Sequence, residues 1–509
     1  MRDWIRLSPL AVAVALAGCA VGPDYQAPST FLPGQYLSQV KANAPQLTTP
    51  ESADLTQWWR TLHDRELNSL VARARESNLD IAIALDRLQE ARLLVTVAVS
   101  EALPVGGGTA GGGVGTGTDE TKGRVSGPLR AGNNAQNLRK ISETGGFDAA
   151  WELDLFGKFR RQIEAQTADA EALRDARDWL FVTVVADVAR AYLDLRAQQR
   201  QLVVLGQNIG AARGNLDLAQ GRFDRGLTNE LDVSLAKRQL ATLQADQAPL
   251  AAQIDASRHA IAILLGLFPE DLAVELSKPR PMPALPAKIP VGQPVDLLRR
   301  RPDIHEAERR LAAANARIGV ATADLFPTVI ISGAGGAQGG IRSSSVVPLT
   351  LIGSIGPSVY WPLLDFGALD AQIEIANLQT HEALVAYKQT ILTAVRQVDD
   401  AISSYRAQQE RLKSLDLALA AARQATQIAT ERYDRGLTDF LNVLDAERQE
   451  FDLEARHVAA RQTAADDLVA VYKALGGGWS LNEPIPPIPA PLPATIAAAK
   501  RLLEPGQVN

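Results

Sequence analysis

One cysteine, Cys19, serves the whole of this 509-residue chain, so no disulfide can staple one part of it to another. Aromatic residues make up only 5%, no basic block stands out, and the formal charge is −6, which excludes a general nucleic-acid binder. The five histidines, at 63, 259, 305, 381 and 457, are scattered, and no pair sits at metal-ligand spacing with a third ligand. His381-Glu382 begins like a zinc-protease motif, but position 385 is Val, and no Gly-x-Ser-x-Gly elbow occurs. Catalysis and a bound cofactor or metal are therefore not expected. Beyond the first 18 residues no apolar run reaches the ~18 residues of a membrane helix. If this chain crosses a bilayer, it must do so with strands.

What is present begins at the N-terminus. Arg2 and Arg6 precede the apolar run Leu10–Leu16, too short to span a bilayer but fitting a signal peptide over residues 1–18. It ends Leu16-Ala17-Gly18-Cys19, which resembles a bacterial lipobox. On that reading Cys19 becomes the mature N-terminus and carries covalent lipid (diacylglyceryl plus an N-acyl chain such as palmitate), each buried methylene adding membrane affinity. Ala20, where an Asp would retain the protein, implies transfer to the outer membrane. The alternative is a plain secretory signal that happens to end near a cysteine.

Residues 19–63 carry five prolines, at 23, 28, 33, 45 and 50, and read as an extended lead-in. A first repeat then covers 64–277. It opens with a helical pattern from Asp64 to Leu103, stopped at Leu103-Pro104. The Gly-rich stretch 104–118 lacks the Gly-Lys-Ser/Thr ending and following helix of a phosphate loop, and fits a strand better. After a polar loop, 119–142, the segment 145–156 alternates Phe147, Ala149, Trp151, Leu153 and Leu155 with Asp148, Glu152 and Asp154, a strand between oil and water. From 159 to 225 there is no proline, and ~1.5 Å per residue makes this helix roughly 100 Å long. A tip at 226–229 leads to a return helix over 229–266. The segment 278–294, with six prolines, connects to a second repeat over 295–478. That repeat comprises a helix to 325, strands at 328–338 and 349–364, a long helix 368–435, a tip 436–439 and a return helix ending at Gly476-Gly477-Gly478. A proline-rich tail occupies 479–509.

The duplication is plainest at the tips. Arg222-Phe-Asp-Arg-Gly-Leu-Thr228 recurs 210 residues on as Arg432-Tyr-Asp-Arg-Gly-Leu-Thr438. Gly ends one helix and Thr with Asn or Asp starts the next. The heptad Leu202, Leu205, Ile209, Ala212, Leu216, Ala219, Phe223 recurs as Leu412, Leu415, Leu419, Ala422, Thr426, Ala429, Tyr433, so coiled-coil packing is expected in both copies. The fold class is thus a mixed α and β membrane protein, an internally duplicated protomer of very long helices plus four strands. Four strands cannot close a barrel, since membrane barrels start at about eight, and open edges are not tolerated in lipid. Transmembrane strands therefore require several protomers to share one barrel.

Several segments carry a family resemblance: Cys19-Ala-Val-Gly-Pro-Asp-Tyr25, Trp58-Trp59, Trp151-Glu-Leu-Asp-Leu-Phe-Gly157, Leu297-Leu-Arg-Arg-Arg-Pro-Asp-Ile304, Ala312-Ala-Ala-Asn-Ala316 with Phe326-Pro327, and both tips. In aggregate the chain resembles the TolC-like outer-membrane efflux factors, in their lipoprotein branch (NodT/OprM-like). The resemblance implies a homotrimer with a twelve-stranded β-barrel in the outer membrane, continued by an α-helical barrel across the periplasm. It implies export of small molecules or drugs, in partnership with a periplasmic adaptor (membrane fusion) protein and an inner-membrane pump, most often of the resistance-nodulation-division type. It places a periplasmic gate at Leu441, Asn442 and Asp445, with Tyr433 nearby and Asp232 in the first copy. Asn442 stands where many relatives have a second acidic residue, and Thr438 where some have a latching Arg. The adaptor would dock on Gly226, Leu227, Thr228 and Gly436, Leu437, Thr438. The bland readings are that Asp232 and Asp445 are solvated charges favouring a helix N-terminus, and that the Gly and Thr are turn chemistry. Turn chemistry leaves the exposed leucines unexplained. Two rival functions stay open here: a conduit for type I protein secretion, and a lipid-anchored periplasmic coiled-coil protein that never spans the membrane.

Overall fold

The structure is a computed structural model that describes residues 20–29, 32–37, 48–49, 54–116, 139–272, 274–286, 288–342 and 345–480. The expected signal peptide, Cys19, most of the 119–142 loop and the tail beyond 480 lie outside the described residues. The chain divides into two compact units. One comprises Met1–Ala27, Glu90–Ala170 and Arg309–Leu384; the other comprises Pro28–Gln89, Glu171–Glu308 and Val385–Asn509.

The sheet unit holds four strands in the order β1-β2-β3-β4, every neighbouring pair antiparallel. They are β1 (Val105–Thr116), β2 (Arg139–Leu153), β3 (Thr328–Arg342) and β4 (Ser345–Tyr360). The glycine-rich segment forms β1. The last three strands are displaced from their expected limits. β2 starts at Arg139 rather than 145 because backbone pairing with β1 continues past the point where side chains stop alternating. It stops at Leu153 rather than 156 because Asp154 turns to cap the next helix, accepting from the amides of Phe159 at 3.2 Å and Arg160 at 3.1 Å. β3 runs to Arg342 rather than 338, and β4 spans 345–360 rather than 349–364, with an irregularity in their pairing between Gln338 and Gly340.

Register assigns the faces. Phe147, Ala149 and Trp151 stand opposite Gly335, Gly333 and Ile331, which in turn oppose Gly353, Ile355 and Pro357. This apolar face lies open in the protomer: Leu351 is 82% and Ile355 85% exposed. Thr109, Thr144, Asp148, Gln338 and Ser354 lie on the other face, along a shallow hollow of about 340 Å³.

The helical elements follow from local punctuation. α1 (Arg65–Ser77) is capped by Asp64, whose carboxylate accepts from Glu66 N and Leu67 N. The single helix expected over 64–103 is in fact two. At Asn78 the backbone turns extended (ψ 129°) and the side chain accepts from Asp80 N and Ile81 N, starting α2 (Leu79–Glu101). α3 (Lys158–Asp224) runs unbroken for 67 residues. The return helix expected over 229–266 is also split, into α4 (Glu230–Ala245) and α5 (Gln247–Leu264). Pro249 explains the break: it has no N–H for the Ala245 carbonyl, and its ring crowds that carbonyl. The helix expected over 295–325 becomes a 3-10 turn at Pro294–Asp296, α6 (Leu297–Arg300) and α7 (Pro302–Ala323). Pro302 forces Arg301 out of the helical region to φ −92°, ψ 113°. α8 (Ala368–Asp434) matches α3 in length, and α9 (Phe440–Ala474) returns without a break.

In the helical unit the main core gathers around Trp58, which stacks on Tyr472 at 4.7 Å. The arginine that opens α7 is built into it. The buried Arg301 guanidinium donates to the Ala474 carbonyl at 2.9 Å, holds Asp303 with two bonds and stacks on Trp179 at 4.8 Å. One side chain thus closes the C-terminal end of α9 and the start of α7. The heptad residues of α3 are buried or half-buried except Phe223, whereas those of α8 are all covered, Tyr433 included.

Candidate functional site

Both tips are built by one local rule. At the end of α3, Gly226 takes φ 72°, Leu227 N donates to Arg222 O at 2.9 Å, and Gly226 N donates to Phe223 O at 2.8 Å. At the end of α8, Gly436 takes φ 73°, Leu437 N donates to Arg432 O and Gly436 N to Tyr433 O, both at 2.8 Å. This pair of bonds is the Schellman closure, which a side chain at the left-handed position would strain. It turns the chain at once and throws the following leucine outward: Leu227 is 61% and Leu437 63% exposed. α4 then starts on Asn229, whose side chain accepts from Leu231 N at 3.0 Å and Asp232 N at 3.4 Å, while Asp439 makes no side-chain cap at the start of α9.

Beneath the turns the two hairpins of one protomer share a small apolar core of Ala219, Val233, Ala236, Tyr433, Phe440, Val443 and Leu444. The expected gate residues fall into two groups. Asp232 and Tyr433 meet: the phenol donates to Asp232 Oδ2 at 3.4 Å, and Thr228 Oγ1 donates to the same oxygen. Burial, and then the Asp232 charge, push the Tyr433 phenol above its ordinary range, so its proton stays on as a donor. Leu441, Asn442 and Asp445 stand apart, exposed along α9. Asn442 bonds Thr438 Oγ1 at 2.9 Å, and Asp445 accepts from Gln449 at 2.9 Å.

Sequence reasoning did not single out three residues here. Arg222 lies over the Tyr433 ring, 4.6 Å from its centroid, and donates to the carbonyls of Tyr433 at 2.8 Å and Asp434 at 3.2 Å. Glu447 is buried and accepts from Asn215 Nδ2, which ties α9 to α3. Burial raises the Glu447 carboxyl to about 7. One signal was legible: an acid spaced three and four residues from the apolar Leu444 and Val443.

In the sheet unit, the strand ends are fixed to the helix ends twice over. Trp151 donates its indole N–H to Ala102 O at 3.0 Å, and Trp361 donates to Leu325 O at 3.1 Å. Each acceptor lies two residues before the proline that ends its helix, Pro104 or Pro327. The N-terminal lead-in is pinned at the same level. Val21 N donates to Phe156 O at 3.0 Å, and Arg161 holds Asp24 at 2.7 Å and the Val21 carbonyl at 3.2 Å. Gly157 takes φ 82°, and a Cβ there would come within 2.7 Å of Ala20.

Among the described residues no group of His, Cys, Asp or Glu could hold a metal ion, and no helix is long and apolar enough to cross a membrane. A sheet with an exposed apolar face and two edges unpaired among the described residues, in a chain that also forms 67-residue helices, defines a channel-forming protein. The two repeats each match the family described as outer membrane efflux protein, over residues 70–267 and 294–477, and the chain belongs to that family. It is 31% identical to nodulation protein T of Rhizobium leguminosarum bv. viciae across 97% of both chains. It is 29% identical to the toluene efflux pump outer membrane protein TtgF of Pseudomonas putida, across 92% of this chain and 96% of that one. The solved structure of the outer-membrane channel OprN superposes with a TM-score of 0.80 at 37% identity, covering 91% of this chain and all of that one. The protein is therefore an outer-membrane efflux channel of the tripartite type, not an enzyme. A periplasmic coiled-coil protein that never enters the membrane is set aside.

Proposed function

We propose that three copies of this chain form one conduit that exports small, weakly polar molecules delivered by a periplasmic adaptor and an inner-membrane pump of the resistance-nodulation-division type. The observation that carries the assembly is the open sheet. Among the described residues β1 and β4 each leave one edge unpaired beside an apolar face that lies largely open, a combination that lipid tolerates only when neighbouring copies complete the ladder. Three copies of four strands make a twelve-stranded barrel with the Thr- and Ser-bearing face inward. The name of the toluene-exporting relative supports small apolar cargo.

Cys19 carries the lipid anchor in this reading. Support comes from its neighbours: Ala20 and Val21 are held against Gly157 and Phe156, beside the strand ends that Trp151 fixes. Tryptophan at that level suits the interface between hydrocarbon and water. The Gly226-Leu227-Thr228 and Gly436-Leu437-Thr438 turns dock the adaptor, and Leu441, Asn442 and Asp445, with Asp232 and Tyr433 behind them, form the periplasmic gate. Exposed leucines repeated at both turns support docking, since most of each side chain is left open by the described residues. The test is to change Leu227 and Leu437 to Asp and measure export alongside trimer abundance. Export should vanish while the trimer persists; retained export would refute docking through the tips.

A further inference from the structure

The two tips are near copies in sequence, yet their surroundings differ in one consistent way. Arg222 of the first hairpin lies over the Tyr433 ring of the second and donates to the last carbonyls of α8. The side chain of its repeat mate, Arg432, is exposed and has no hydrogen bond or ion pair among the described residues. The ring that Arg222 covers, Tyr433, is 2% exposed; its repeat mate Phe223 is 39% exposed and is the one uncovered member of the α3 heptad. Space repeats the pattern. A Cβ on Gly436 would meet Arg222 Nη2 at 3.8 Å, whereas a Cβ on Gly226 would meet nothing within 4 Å. Leu218 packs on the apolar core of the tips, whereas its mate Ile428 is 49% exposed. These contacts from hairpin one to hairpin two thus have unfilled counterparts, with the donor on hairpin two and the receiver on hairpin one.

We propose that a second copy of this chain fills it: Arg432 of one protomer lies over the ring of the partner's Phe223 and donates to the carbonyls that end the partner's α3, with Ile428 packed alongside. This rests on the trimer proposed above. Repetition of one head-to-tail contact, alternately within and between subunits, is what closes a ring from a duplicated chain. The substitutions at the second junction agree with this. Within the protomer the Tyr433 phenol donates to Asp232. At the corresponding place Phe stands for Tyr and Asn442 for Asp, so the phenolic donor and the carboxylate charge are removed together. The Arg-over-aromatic contact and the main-chain donation are retained, and the acidic latch is not. The junctions between subunits are therefore the weaker ones, and the ring of tips opens there first.

The test uses the full-length protein in its native membrane, where Cys19 is the one natural cysteine. Arg432→Cys is combined with Phe223→Cys and treated with a short bis-methanethiosulfonate crosslinker. Covalent dimers and trimers are expected on denaturing gels. The control pair Arg222→Cys with Tyr433→Cys should link within single chains and leave monomers. Absence of intermolecular links in a protein that still migrates as a heat-sensitive trimer would overturn the clamp while leaving the trimer intact. A parent protein that is monomeric in mild detergent would overturn both. Arg432→Lys and Arg432→Ala add a functional readout in planar bilayers. Loss of the stacking guanidinium should raise open probability in both, more in the alanine variant; unchanged opening in both would refute a role for Arg432 in holding the ring closed.

Discussion

Glu447→Gln offers a sharp test of how the two hairpins of one protomer are held together. The carboxyl is 4% exposed, accepts from Asn215 across the α3–α9 contact and has Glu450 as a like-charged neighbour. Burial raises it from 4.5 to about 7, with Glu450 adding to the shift and the Asn215 bond opposing it. The folded state therefore holds this proton more tightly than the unfolded chain does. Below about pH 4.5 both states are protonated and the group is neutral to stability. As pH rises from there towards 7 the unfolded chain ionises first, and stability is lost; above 7 the loss levels off. At 1.36 kcal/mol per pH unit, the full loss is about 3 kcal/mol. Glutamine keeps an acceptor for Asn215 and has no proton to lose, so the variant should escape this penalty. Hydrogen exchange of the peptide spanning 440–450, with variant and parent compared at each pH, cancels the intrinsic pH dependence of exchange. It also cancels Asp466, which burial likewise raises to about 7 and which the substitution leaves alone. The variant's extra protection should be slight at pH 5 and roughly hundredfold at pH 8, the factor that about 3 kcal/mol represents. A ratio that stays constant from pH 5 to 8, or protection that falls in the variant at pH 8, would refute a neutral, buried Glu447.

Three further outcomes are expected. Leu441→Ala combined with Asp445→Ala should raise single-channel conductance in planar bilayers, because both side chains stand exposed just beyond the second tip; unchanged conductance would remove them from the gate. Trp361→Phe keeps an aromatic ring but deletes the indole bond to Leu325 O, so it should destabilise the folded form against heat by about 1 kcal/mol; an equal effect from Trp361→Ala would mean that the bond, and not the ring, carries the contact. Trp58→Ala empties a site that is 1% exposed and stacked on Tyr472, and should cost about 3–5 kcal/mol in denaturant unfolding. A loss below about 1 kcal/mol would mean that the surrounding core collapses into the space.

Much of the fold was legible because its signals are local. Long proline-free stretches, a Gly-Leu-Thr turn and a period-two apolar pattern each declare an element without reference to the rest of the chain. The errors were local too, and were readable in principle. Asn78 can cap a new helix, Pro249 cannot continue one, and Pro302 constrains Arg301 before it; all three were passed over by a reading that followed hydrophobic period alone. The strand limits were missed for another reason. Backbone pairing with a neighbouring strand extends β2 back to Arg139, and no side-chain pattern records it.

The candidate site was only half legible. The turns and their leucines were named from the repeat, and the residues proposed for the gate from the family resemblance, but the repeat could not say which of two equivalent positions is occupied. Arg222 and Arg432 occupy the same place in the motif. That Arg222 is stacked on Tyr433 while Arg432 stands open follows from which hairpin lies beside which, a property of the packed chain. Glu447 was passed over because an acid on a helix is ordinarily solvated; only its burial between packed helices, where Asn215 of α3 bonds it, raises its carboxyl to about 7.

By itself, then, the sequence determined the duplication, the four strands and the two long helices, because each rests on composition and spacing along the chain. Tertiary structure alone decided which apolar face lies open, which strand edges are unpaired and which Arg-aromatic contact is filled. Those depend on what lies across from a residue in space, and residues as far apart as Arg222 and Tyr433 meet only when two hairpins pack side by side.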